Sequence, residues 1–111
     1  MSIFSTAIFT AQDTLRDLIS NDDFEGLRKF LNEERVDITV DSTTPDRIDL
    51  TAGDVNNDYA IDPLTALFIE LFQRVLYDLC TKVDYIRLDG CTDYFINGYI
   101  VRFDYNPYDV V

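Results

Sequence analysis

The chain has no histidine and no tryptophan, and its 111 residues include only two cysteines and four glycines. Histidine is the side chain most often used as a general base, and it is a common zinc ligand. Its absence removes both possibilities. The sequence also contains no glycine-rich phosphate loop and no G-x-S-x-G motif. Cys80 and Cys91 are too few for a zinc site, and they fit either free thiols in a reducing compartment or one disulfide. We therefore expect a protein that is not an enzyme and that needs no cofactor.

Negative charge is what the chain has in excess. It has 21 acidic residues, 17 of them aspartate, against nine lysines and arginines, and its net charge is −12. Such a field repels nucleic acid and anionic membranes and attracts basic partners. The same charge is also typical of a protein that only needs high solubility.

The length and the apolar content predict one folded domain over residues 1–111. Apolar residues make up 47% of the chain, and fifteen of them are Phe or Tyr, which argues against disorder. At the start, Met1 leads directly into Ser2 and Ile3, with no basic region before an apolar stretch. We therefore expect no secretory signal and a cytoplasmic location, in the cell or in an infected host.

The longest apolar segment, residues 62–80, predicts a central helix. Asp62 suits the N-cap and Pro63 the first helical position. The apolar residues recur at the spacing of one helix face, namely Leu64, Leu67, Phe68, Leu71, Phe72, Val75 and Leu79. Three more widen this face, namely Ile69, Leu76 and Tyr77. We expect a helix buried on most sides, while its three charged residues argue against a membrane span.

The remaining periodicity predicts an α+β fold. Helical spacing indicates a helical hairpin, with one helix from Ser5 or Thr10 to Ser20 and a second that Asp22 caps. Alternation indicates strands over residues 36–41, 47–51, 83–88, 94–96 and 99–103, with a loop over residues 42–46. Asn97-Gly98 is a strong hairpin signal. We expect the N-terminal hairpin and the long buried central helix to pack on an antiparallel sheet of about five strands.

A run of seven aspartates and one arginine supplies the candidate partner-binding residues: Asp37, Asp41, Asp46, Asp49, Asp54, Asp58 and Asp62. Neighbours on one strand face lie about 6.6 Å apart, and neighbours on a helix face about 5–6 Å apart. Phosphates along a DNA strand have a comparable spacing. We therefore expect a protein that binds no nucleic acid itself and blocks a basic, nucleic-acid-binding partner, in part by nucleic-acid mimicry. In size and charge it is similar to phage anti-restriction and anti-CRISPR proteins and to immunity proteins of nuclease toxins.

A second group of acids alternates with tyrosines near the C-terminus. The acids are Asp84, Asp89, Asp93, Asp104 and Asp109, and the tyrosines are Tyr85, Tyr94, Tyr99, Tyr105 and Tyr108. Tyrosine anchors many interfaces, and it also fills strands. The central helix has a wider apolar face than one small domain needs to bury. Together with this group of tyrosines, it supports an alternative function, a structural protein that forms a homodimer or larger assembly.

Asp54, Asn56 and Asp58 are candidate metal ligands, since hard cations bind clustered oxygen atoms at this spacing. The run GDVNNDYAID, residues 53–62, resembles the calcium loop of a dockerin repeat, and the resemblance implies calcium as a ligand. Two positions depart from that pattern: Tyr59 replaces a glycine, and Thr65 replaces a bidentate acid. The alternative is a polar loop that caps the central helix.

Overall fold

A computed structural model of the chain describes residues 3–86 and 90–104, with the backbone alone for residues 3–9 and 55. The helices are α1 (Ile3–Ser20), α2 (Phe24–Glu33) and α3 (Pro63–Leu79), and a short 3-10 helix spans Val55–Asn57. The strands are β1 (Ile38–Thr44), β2 (Arg47–Ala52), β3 (Lys82–Ile86), β4 (Cys91–Ile96) and β5 (Tyr99–Asp104). The predicted α+β fold, with its N-terminal helical hairpin, central helix and five strands, is confirmed.

The helical hairpin forms because two short apolar stripes face the core. In α1, Ala11, Leu15 and Ile19 are buried at intervals of four residues. The N-cap of α2 is Asp23 and not the predicted Asp22, since the Asp23 carboxylate accepts a hydrogen bond from Gly26 N–H at 2.9 Å. Asp22 instead adopts a φ of +55° and turns the chain between the two helices.

The buried face of α3 is rotated from the predicted one. Its buried residues are Thr65, Phe68, Ile69, Phe72, Val75 and Leu76. Leu64 and Leu67, which were expected on the core face, are each 46% exposed. Ile69 and Leu76, which were expected to widen that face, lie at its centre. The buried Thr65 belongs to this face, and its hydroxyl accepts a hydrogen bond from Asp37 N–H, in the chain before β1.

The strand order is β1-β2-β5-β4-β3. Three of the neighbouring pairs are antiparallel, whereas β2 and β5 run parallel, so the sheet is mixed and not wholly antiparallel as predicted. β1 continues beyond a bulge between Val40 and Ser42 and ends at Thr44. The predicted loop at residues 42–46 is therefore only a two-residue turn. The Asn97-Gly98 hairpin is confirmed, with φ angles of +50° and +84°.

One face of the sheet packs under the helices. Core residues of β2 and β5 join residues of all three helices in one apolar cluster. The Phe72 and Phe103 rings meet edge to face, with centroids 5.4 Å apart. The buried Tyr99 hydroxyl donates to Ile19 C=O at 2.9 Å and thereby fixes α1 to β5. None of the helices in the described part of the chain has the length and apolarity that crossing a membrane requires.

Gly53 provides a test of the turn that follows β2. It is buried, its φ is +113°, and an added Cβ would lie 2.5 Å from Tyr59 C=O. We predict that Gly53→Ala lowers the free energy of unfolding by at least about 2 kcal/mol, measured by urea denaturation. Gly98→Ala is the control, because its φ is +84° but open space surrounds the new methyl group. It should cost only about 1 kcal/mol, and equal losses in the two variants would contradict the crowded turn.

Candidate acidic interaction surface

Asp37 lies where the start of β1 meets both the end of β2 and the start of α3. Its N–H donates to the buried Thr65 hydroxyl at 3.2 Å. Its C=O accepts a hydrogen bond from Gly53 N–H at 2.6 Å. The segments around Gly53 and Thr65, 16 and 28 residues further along the chain, are thereby held against Asp37. Each of these segments contains an aspartate.

The first of these aspartates opens a tightly closed loop. The Asp54 carboxylate accepts a hydrogen bond from Asn56 N–H at 2.9 Å, and Asp54 N–H donates to Ala60 C=O at 3.0 Å. Asp58 and Tyr59 then take left-handed φ angles of +52° and +59°, which return the chain to Ala60. Asp58 and Tyr59 are both exposed at the outside of the loop.

The second aspartate is the N-cap of α3. The Asp62 carboxylate accepts a hydrogen bond from Thr65 N–H at 2.7 Å, as the sequence predicts. Negative charge is favoured at this position because it faces the positive end of the helix dipole. Thr65 therefore uses its backbone to hold Asp62 and its hydroxyl to hold the backbone of Asp37.

These contacts concentrate like charges. Burial raises the pKa of Asp37, and the negative charges of Asp54 and Asp62 raise it further. We call Asp37, Asp54, Asp58 and Asp62 the acidic end, in which Asp58 is included because it belongs to the same loop as Asp54. The four ion pairs that join described residues all lie elsewhere, so no basic side chain neutralises the acidic end within that part of the chain.

The other three candidate aspartates lie along the β1–β2 hairpin. Asp41, in the bulge, accepts hydrogen bonds from the hydroxyls of Thr39 and Thr51. Asp46, in the turn, accepts one from the Thr44 hydroxyl at 2.9 Å. That turn is about 20 Å from the start of β1, at about 3.3 Å per residue. The predicted row of seven acids is therefore divided into two groups.

Asp49 differs most from the members of the acidic end. It receives a hydrogen bond from the Ser42 hydroxyl at 2.7 Å and forms an ion pair with Arg47, also at 2.7 Å. Burial alone would raise the pKa of Asp49, but these hydrogen bonds and the charges of Arg47 and Arg102 together hold it below its usual value. Its charge is thus already compensated within the chain.

The second predicted group of acids is also largely paired. Asp93 is buried and accepts two hydrogen bonds from the Arg102 guanidinium, at 2.7 and 3.0 Å, and this pairing raises the pKa of Arg102. Asp84 forms an ion pair with Lys82 at 3.3 Å, and Asp104 is exposed. The members Asp89, Asp109, Tyr105 and Tyr108 lie outside the described residues.

The tyrosines of that group have different environments. Tyr94 and Tyr99 are buried, as expected of residues that fill strands, and burial raises the pKa of Tyr94 to about 12. Tyr85 is 70% exposed. Tyr85 is therefore the described member of this group that remains available for an external contact.

The predicted calcium ligands, Asp54, Asn56 and Asp58, belong to the closed loop described above. In the parts of the chain that the structure covers, no group of three or more His, Cys, Asp or Glu side chains is arranged to hold a metal ion. The Thr65 hydroxyl, at the position of the expected bidentate acid, accepts the hydrogen bond from Asp37 N–H. Calcium binding through two aspartates and an asparagine stays a prediction.

Three exposed apolar side chains accompany the acidic end, and the sequence did not single them out as site residues. Tyr59 is 53% exposed within the closed loop, and Leu64 and Leu67 are exposed on the first two turns of α3. The predicted helix face included both leucines, which concealed their exposure. The sequence signal for Tyr59 was its position directly after the polar residues Asn56, Asn57 and Asp58, outside any apolar periodicity.

Replacement of Asp37 tests the crowding of charge directly. A folded-state pKa above the usual 3.8 means that the charged carboxylate opposes folding at neutral pH, and that this penalty disappears as the pH falls below 3.8. We predict that Asp37→Asn raises the free energy of unfolding at pH 7 by less than about 1 kcal/mol, because surface charges are screened. The gain over wild type should vanish at low pH.

Urea denaturation at several pH values measures this difference. Asp13→Asn, at an exposed position of α1, serves as the control and should change stability little at either pH. A loss of stability in Asp37→Asn at pH 7 would mean that the carboxylate makes a favourable contact, which would contradict the like-charge cluster.

Comparison of the chain with protein-family models, with curated proteins and with solved structures finds no match. Kinship with a characterised protein therefore offers no guide to function. The acidic end, with its uncompensated carboxylates and neighbouring exposed apolar side chains, is the site from which a function can be inferred.

Proposed function

We propose that the protein is a non-enzymatic binding protein whose acidic end occupies a basic, nucleic-acid-binding surface of a partner protein. The observation that supports this proposal is the convergence of Asp37, Asp54 and Asp62 without a compensating ion pair in the described chain. A basic partner would supply the missing positive charge. Bringing that charge in lowers the pKa of Asp37 and removes the repulsion that the free protein carries.

Charge placement elsewhere in the molecule strengthens the proposal. Asp49, Asp84 and Asp93 each have an internal cation, and Asp93 accepts hydrogen bonds from two nitrogens of one guanidinium. Asp41 and Asp46 also form no ion pair with a described residue, so what sets the acidic end apart is the approach of Asp54 and Asp62 to Asp37, which raises the pKa of Asp37. The contrast favours a surface on which uncompensated charge has a use, since complementary charge speeds association and selects the partner.

The exposed apolar side chains give the surface a second component. Charge steers a partner to the surface, whereas buried aromatic and aliphatic contacts supply most of the affinity of an interface. Tyr59 follows Asp58 directly in the loop, and Leu64 follows the Asp62 cap by two residues. We infer that these side chains become buried when the acidic end meets its partner.

Nucleic-acid mimicry is the mode of blocking that this surface favours. A chain with a net charge of −12 repels nucleic acid and attracts the proteins that bind it. Carboxylates on a rigid junction of strand, loop and helix present anionic oxygens in place of phosphates. Small inhibitors of nucleic-acid-processing enzymes act in the cytoplasm of a cell or an infected host, and we assign this protein to that functional class.

Neutralising the acidic end tests the proposal while preserving the fold. Asparagine caps helices as well as aspartate does, and it tolerates left-handed φ angles, so it suits Asp54, Asp58 and Asp62 as well as Asp37. The control neutralises four exposed acids elsewhere with Asp13→Asn, Asp17→Asn, Glu33→Gln and Glu34→Gln. Both variants lose four negative charges, so they differ only in where the charge is removed.

Affinity is measured for the basic protein that the immobilised chain captures from extracts of its source cells, once that protein is purified. We predict that the acidic-end variant binds about 10- to 100-fold more weakly, mainly through slower association, and that the control variant retains most of the affinity. Raising the salt from about 50 to about 200 mM should weaken wild-type binding, and duplex DNA or RNA should compete for the partner.

Two results would reject the proposal. Equal weakening in both variants would show that only net charge matters and not the acidic end. A partner whose binding ignores salt and is not displaced by nucleic acid would show that the protein does not occupy a nucleic-acid site.

A further inference from the structure

The two edges of the sheet differ in their capacity to accept another strand. Along β1, the bulge at Asp41 interrupts the regular spacing of backbone groups, which is a common protection against edge pairing. Along β3, all five residues pair with β4 in unbroken antiparallel register. No described strand pairs with the other side of β3, so this edge is the regular and open one.

Exposed aromatic surface lies beside this open edge. Tyr77 and Tyr85 are 63% and 70% exposed, the highest values for large apolar side chains in the described part of the chain. An open cleft of about 370 Å³ lies between them and is lined by Tyr77, Cys80, Thr81, Lys82, Val83 and Tyr85. Exposed apolar patches of this kind mark sites of association.

The charges on β3 are complementary to those of a second β3. Val83 packs against the core, so Lys82 and Asp84 on either side of it point away from the helices. Their side chains are 65% and 46% exposed and form an ion pair at 3.3 Å. If two copies of β3 run antiparallel with Val83 opposite Val83, each Lys82 lies opposite Asp84 of the other copy, and the twofold axis repeats the pair.

We propose that β3 is a self-association edge, at which two copies of the chain join their sheets with Val83 at the twofold axis. In this register Tyr85 of one copy lies opposite Thr81 of the other, and Thr81 lines the cleft. The cleft is therefore filled by an aromatic side chain from the second copy. A basic segment fits this edge less well than a second copy does, because Lys82 is exposed on it.

Salt separates this association from the proposed binding of a basic partner. Two copies of a chain with a net charge of −12 repel each other, and salt screens that repulsion. Self-association through β3 should therefore strengthen as salt is added, whereas binding of a basic partner to the acidic end should weaken. The self-association edge and the acidic end share no residue, so either proposal can fail alone.

Cysteine cross-linking tests the register. All variants carry Cys80→Ser, which leaves Cys91 as the one native cysteine, a buried one. Opposed residues in an antiparallel pair have Cα atoms about 4.5–5.5 Å apart, within the range that a disulfide spans. Under mild oxidation, Val83→Cys should give a disulfide-linked dimer as its main product. Thr81→Cys should not, because its two copies would lie about 13 Å apart.

A mixed experiment fixes the direction of the strands and does not depend on Val83→Cys folding. Chains with Thr81→Cys and chains with Tyr85→Cys should each remain unlinked alone and should form a heterodimeric disulfide when mixed. Linked dimer from Val83→Cys and from the mixture, with none from either single variant or from the Cys80→Ser background, is the expected result. Equal linkage in all samples, or linkage in none, would overturn the proposal.

Charge exchange gives an independent readout by sedimentation. Lys82→Glu places two glutamates opposite two aspartates and should weaken dimerisation about 5- to 30-fold, and Lys82→Glu with Asp84→Lys should restore it. Wild-type protein that stays monomeric at high concentration and high salt would contradict the proposal, as would an unchanged dimer in Lys82→Glu.

Discussion

The buried Thr65 hydroxyl and the N–H of Asp37 form the contact on which the arrangement of this molecule depends. This bond joins the first turn of α3 to the chain entering β1, and Gly53 N–H adds the end of β2 to the same point. A buried threonine without a partner would cost free energy, so the bond adds to the burial of Phe68, Phe72 and Leu76 in turning this face of α3 inward. The core stripe of the helix and the exposure of Leu64 and Leu67 follow from that orientation.

The same junction brings negative charges together. It places Asp54 and Asp62 close enough to Asp37 to raise the pKa of its carboxyl group. Capping explains two of these aspartates locally, since each accepts a hydrogen bond from a backbone N–H. The dipole of α3 also favours the charge of Asp62, but neither capping nor the dipole accounts for the charge of Asp37 beside the other two. An external basic surface would account for them, and this is the reason for the proposed binding function of the acidic end.

Local patterns predicted the elements whose causes are local. The cap at Asp62, the Asn97-Gly98 hairpin and the extent of α3 depend on neighbours in sequence, and all three are confirmed. The parallel pairing of β2 with β5 was not predicted, because it joins two hairpins through the burial of Ile48 beside Val101 and depends on tertiary packing. The bulge in β1 was missed for a related reason, since Ser42, Thr43 and Thr44 resemble a loop when their strand partners are unknown. The seven candidate aspartates could be named from the sequence, but their division into a hairpin group, in which Asp49 is ion-paired, and the acidic end required the positions of Arg47 and Thr65.

The pKa of the Asp37 carboxyl group, followed by NMR through a pH titration of the free protein, tests whether the carboxylates of the acidic end interact. We predict a pKa above the usual 3.8, and a fall toward 3.8 when either Asp54→Asn or Asp62→Asn removes a neighbouring charge while keeping its cap. A value at or below 3.8, or one that both substitutions leave unchanged, would show that the three carboxylates do not interact and would contradict the acidic end as a concentrated, uncompensated site.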